Sequence, residues 1–103
     1  MLKVQMDVEK ANELSRQGKL GATIQAILTD LKPEAAYFIE EEGLRTGVIF
    51  FHMTDSSEIP KVAEPWFLAL NARLTIKPAM NAEDLGKAAP HIEAAVKKFG
   101  AAG

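Results

Sequence analysis

Hydrophobic and ionisable residues alternate in two short segments at opposite ends of the chain. In the first, Leu2, Val4, Met6 and Val8 fall on one side and Lys3, Gln5 and Asp7 on the other. In the second, Ala72, Leu74 and Ile76 oppose Arg73, Thr75 and Lys77. A period of two belongs to a half-buried strand, because successive side chains leave opposite faces of a sheet. Between them, Val48 to Met53 is almost wholly apolar and reads as a strand buried more deeply. Together these segments predict one sheet with a helix-covered face and an open, partly polar face.

The intervening pattern is helical. Glu9 to Arg16 reads as a first helix, and Gly18 and Gly21 loosen it. Leu20, Ile24, Ile27, Leu28 and Leu31 then recur at helical intervals up to Pro33. Ala35 to Ile39 is strand-like, Glu40 to Gly43 supplies a turn, and Leu44 to Met53 returns, so a hairpin is expected. Thr54 to Ser57 offers helix caps ahead of Ile59, Pro60 and Val62, and Pro65 is expected to kink or split that helix near Trp66 to Leu70. The second alternating strand spans Asn71 to Ala79, and its Pro78, lacking an amide donor, places it at a sheet edge. Asn81 with Asp84 opens a final helix whose stripe is Leu85, Ala88, Ile92, Val96 and Phe99, and Pro90 is expected to bend or divide it.

The predicted order is strand, helix, hairpin, helix, strand, helix. This is the α+β, ferredoxin-like βαββαβ sandwich with an antiparallel four-stranded sheet and an extra C-terminal helix, in a single domain covering residues 1–103. Its first and third strands are central, in agreement with Pro78 at an edge.

Composition narrows function mainly by exclusion. The 103 residues are 48% hydrophobic and 25% charged, with a formal net charge of −2. That balance provides no basic footprint for nucleic acid or an anionic membrane, and neither is expected as a partner. The run Arg45 to Phe51 resembles the aromatic third strand of RNA-binding βαββαβ modules, but its glycine and aromatic spacing fits poorly and the acidic balance opposes it. The absence of cysteine removes disulfides and thiolate chemistry. With only two histidines, His52 and His91, predicted far apart, no metal site within one subunit and no cofactor is expected. No apolar run reaches membrane-spanning length and no leader pattern is visible, so the expected location is cytoplasmic.

The predicted open face gathers the candidate chemistry. His52 is a candidate general acid or base with Asp7 on the neighbouring strand to orient it, against the plainer reading of a strand-end histidine. Arg73, with Lys77 beside it, offers a fork for a carboxylate or phosphate, against the reading of a charged edge that discourages aggregation. Tyr37, Gln5 and Phe50 complete the candidate ligand-binding set, and Trp66 and Phe67 are either lining at its mouth or core filler. Glu40, Glu41 and Glu42 read as a solvated turn rather than a cation site.

Exposed Phe and Val beside fixed charges are rarely left bare on a monomer. On this element order the chain resembles the dimeric α/β-barrel group, in which two ferredoxin-like subunits bring their sheets face to face; muconolactone isomerases and antibiotic-biosynthesis monooxygenases are members. The run Glu64 to Ala72, followed by Lys77-Pro78-Ala79-Met80, resembles small bacterial proteins of the same fold class. The resemblance implies a homodimer or higher homo-oligomer and carries no catalytic motif. Two functions therefore stand open: a small-molecule-binding protein or cofactor-free enzyme with its pocket at the open face, or an assembly module without catalytic activity.

Overall fold

The structure, a computed structural model, describes residues 1–100. Its elements follow the order β1 (Leu2–Gln5), α1 (Val8–Arg16), α2 (Leu20–Leu31), β2 (Ala35–Glu41), β3 (Leu44–Phe50), a 3₁₀ turn at Ser56–Glu58, α3 (Ile59–Leu70), β4 (Arg73–Ile76) and α4 (Ala82–Phe99). The strands form one antiparallel sheet in the order β2-β3-β1-β4. This is the ferredoxin-like α+β architecture with a C-terminal helix. The first crossover is interrupted after Arg16, where Gly18 adopts a φ of 69°.

The core lies between one sheet face and the helices. Leu2, Val4 and Met6 from the first strand segment meet Ile49, Ala11, Ile27, Val62, Trp66 and Leu70, and Trp66 is the largest side chain completely removed from water. The β2–β3 hairpin closes through Glu42 and Gly43, with φ of 55° and 78°. Two consecutive positive φ values match the type I′ twist of a two-residue hairpin, and Glu40 braces the turn by accepting from the Gly43 amide at 2.8 Å.

Several expected boundaries move, for reasons that lie outside the segments themselves. β1 ends at Gln5 and not beyond Asp7, because Asp7 is the N-cap of α1 and its Oδ2 accepts from the Lys10 amide at 2.9 Å. β3 stops at Phe50 rather than Met53, since its partners begin at Leu2 and Ala35 and no strand remains to pair with Phe51 to Met53. Phe51 and Met53 still pack against the core. β4 is shorter than expected at both ends: Asn71 takes a left-handed φ of 47° as the C-cap of α3, and the strand stops at Ile76, so Pro78 lies beyond it and not within it. Its edge position stands.

Neither internal proline divides its helix. Pro65 lies within a continuous α3, where burial of Val62, Ala63, Trp66 and Leu70 offsets the missing hydrogen bond. Pro90 lies within a continuous α4, which has the capping box between Asn81 and Asp84 but not one buried residue. Gly86 and Pro90 together cost this helix about 4 kcal/mol relative to alanine. The radius of gyration is 18.1 Å, against about 13 Å for a compact chain of this size. The long axis measures 63 Å against 28 and 21 Å, and α4 itself, about 27 Å long at 1.5 Å per residue, accounts for the extension. Among the described residues, no helix is long and apolar enough to cross a membrane.

Candidate functional site

Strand register decides which side chains share the open face. With Leu2, Val4 and Ile49 buried against the helices, the opposite parity forms two rows across all four strands. One row runs Ile39, Thr46, Gln5, Arg73 and the next Tyr37, Val48, Lys3, Thr75. Glu41 and Leu44 lie beyond the first row, and Ala35 and Phe50 beyond the second. Gln5, Arg73, Tyr37 and Phe50 are thus brought to one face. Gln5 and Arg73 are direct neighbours, whereas Tyr37 and Phe50 lie one and two rows further along.

The centre of this face is a polar bridge over an apolar ground. The Glu41 carboxylate reaches across β3 to β1, where Oε2 lies 2.9 Å from Lys3 Nζ and accepts from Gln5 Nε2 at 3.2 Å. Thr46, on the intervening strand, is only 1% exposed and donates its hydroxyl to the Leu44 carbonyl. Around the bridge, Tyr37 is 63% and Ile39 46% exposed. Arg73 is exposed at the edge and makes no ion pair among the described residues. An unpaired guanidinium beside an amide and apolar surface is suited to an anionic group carried on an apolar body.

Asp7 and His52 do not form the expected pair. Asp7 is committed to capping α1 at one end of the sheet, and His52 follows the other end of β3, a separation of about 25 Å at about 3.3 Å per residue. His52 has a different carboxylate neighbour: its Nε2 is 3.9 Å from Glu34 Oε2, beyond hydrogen-bonding distance, and its side chain is 89% exposed. His52 and Phe50 instead line a recess of about 680 Å³ at this end of the sheet, together with Glu34, Lys77, Asn81 and Asp84. Phe50 therefore belongs to both the open face and the recess.

A smaller cleft of about 210 Å³ lies on the helix side, between Ile27 of α2, Val62 of α3 and the 51–53 segment, with Asp30, Lys61 and Glu58 at its rim. It is below the usual size of a small-molecule site. Glu58 is already occupied, because its Oε2 accepts from the Thr54 amide, the Thr54 hydroxyl and the Asp55 amide, each at 3.0 Å. Those bonds, the Asp55 amide foremost, hold the carboxyl below its ordinary value of 4.5.

Trp66 is core and not lining. Phe67 is partly exposed on α3, which covers the opposite side of the sheet. Among the described residues no three His, Asp or Glu side chains are grouped to hold a metal ion. Glu41 and Glu34 are the groups that sequence reasoning missed. Continuing the alternation of Tyr37 and Ile39 by two residues would have placed Glu41 on the open face; Glu34 has no such signal. Comparison with family models, with curated proteins and with solved structures returned no match.

Proposed function

We propose that the chain is a homodimeric small-molecule-binding protein of the dimeric α/β-barrel kind, with the open sheet face as the wall of its ligand chamber. The observation that carries this reading is the face itself: Tyr37, Ile39, Val48 and Phe50 surround a polar centre, and among the described residues no helix lies across Tyr37, Ile39 and Val48. Covering this face with a second copy removes apolar area from water and encloses Arg73 and Gln5. Arg73 then binds the carboxylate or phosphate of a small ligand, Gln5 hydrogen-bonds beside it, and Tyr37 and Phe50 contact its apolar part. His52, at the recess mouth, is the group available for proton transfer.

The test is thermal unfolding of the full chain with succinate, citrate, benzoate or inorganic phosphate. A ligand at ten times its Kd stabilises by about 1.4 kcal/mol, which raises Tm by roughly 6–10 °C in a domain of this size. The rise is expected in the native chain and is lost in Arg73→Met. Equal rises in both chains, or none with any probe at millimolar concentration, refute ligand binding through Arg73. The second reading, an assembly module, is favoured by the Lys3, Glu41 and Gln5 bridge, which already satisfies the centre of the face without a ligand. It is distinguished by dissociation of Phe50→Asp together with no ligand-induced shift.

A further inference from the structure

We propose that α4 is an oligomerisation arm that pairs antiparallel with α4 of a second copy, through an interface separate from the sheet face. Four observations converge on this occupant. First, the helix contains Gly86 and Pro90, the two poorest helix-forming residue types, yet no residue of it is buried within its own protomer. Such a helix depends on packing for its order.

Second, Leu85, Ala88, Ile92, Ala95 and Phe99 follow one another at the alternating intervals of three and four of a coiled-coil seam, and Ala89 and Val96 widen this apolar face along one edge. Leu85, Ile92 and Phe99 are each more than half exposed. Gly86 and Pro90 fall off this seam, as does the Glu83 and Lys87 ion pair at 3.6 Å.

Third, the seam is self-complementary when reversed. Setting Ala88 against the partner's Ile92 also sets Leu85 against the partner's Ala95, so large residues meet small ones in these layers, while Phe99 comes against the partner's Asn81 at the helix end. On one flank Ala82, Ala89 and Val96 permit close approach.

Fourth, the charges select direction. On the other flank Asp84 comes beside the partner's Lys98, and His91 lies near the two-fold axis. A parallel pair would instead gather Glu83 and Asp84 at one end and Lys97 and Lys98 at the other, with the helix dipoles aligned. An isologous antiparallel contact closes on itself, as a two-fold interface must.

The native chain has no cysteine, so single cysteines carry spin labels cleanly. In full-length His91→Cys, labels on two copies are expected close together. In Lys97→Cys they are expected far apart, with an axial offset of about 21 Å from seven residues either side of the axis at 1.5 Å each. Ile92→Lys is expected to abolish both inter-copy distances and halve the mass of the assembly, while circular dichroism shows the sheet domain still folded. Val48→Asp, on the sheet face, is expected to leave the α4 distances in place, which separates this interface from the one proposed above. Equal distances at the two positions, no inter-copy distance at His91, or an unchanged mass in Ile92→Lys overturns the proposal.

Discussion

Replacement of Glu41 by Gln reports on what covers the open face. The Glu41 carboxylate is 2.9 Å from Lys3 Nζ, and in one protomer the Lys3 and Glu41 side chains are 31% and 36% exposed. A pair this open to water contributes up to about 1 kcal/mol, since solvent and salt screen it. Glutamine keeps an acceptor for Gln5 but leaves the Lys3 ammonium without its counter-charge. If a second copy excludes water from the face, the same loss costs about 3 kcal/mol or more, because an uncompensated charge is then buried. Urea unfolding of the native chain, Lys3→Met, Glu41→Gln and the double variant, at protein concentrations below and above the association midpoint, yields the coupling energy in each state. The expected coupling is about 0.5–1 kcal/mol when dilute and above about 2 kcal/mol when associated, with 0.5 M NaCl weakening only the former. Equal coupling at both concentrations would refute burial of this face on association.

Glu42→Asn is expected to raise stability by about 0.5–1 kcal/mol, because asparagine tolerates the left-handed turn position that glutamate occupies at φ 55°. Glu42→Lys is the control: it removes the third of three adjacent carboxylates without relieving the backbone, and an equal gain would show that charge is responsible. Glu58 has a lowered pKa, so its stabilising bonds are complete above its ordinary value and are lost as pH falls below that value through the folded one. Glu58→Gln is therefore expected to flatten the acid limb of a stability-against-pH curve, and an unchanged limb contradicts the capping role. Trp66→Ala is expected to cost about 3–5 kcal/mol in denaturant unfolding, a large share of the stability of a small domain. Trp66→Phe is expected to cost less, because the indole N–H has no acceptor to lose among the described residues.

What could be read from the residues was the parity of the strands. Leu2 and Val4 against Lys3 and Gln5, and Ile49 against Val48 and Phe50, are separated by a period of two that holds wherever a strand exists, so four of the candidate residues fall on the face expected for them. Where a strand stops is a property of its neighbours. Asp7 had the right parity but follows the end of β1 and caps a helix, and His52 lies past the last partner of β3. Their pairing failed because each was assigned to a ladder that does not extend that far. The prolines divide neither helix: Pro65 breaks a local rule inside α3, and burial of Trp66 and Leu70 outweighs it. Glu41 was hidden by Glu40 and Glu42, whose company made a cross-strand side chain look like part of a turn.

Sedimentation equilibrium of Ile92→Lys with and without Val48→Asp tests the sheet face most directly, because the first change removes any contribution from α4. Val48 lies in the middle of the exposed rows, between Tyr37 and Lys3, and an aspartate there places a charge where the second copy must close. The expected result is a dimer for Ile92→Lys and a folded monomer when Val48→Asp is added. A monomer before Val48 is changed, or a dimer that survives the change, would contradict closure of the open face by a second copy.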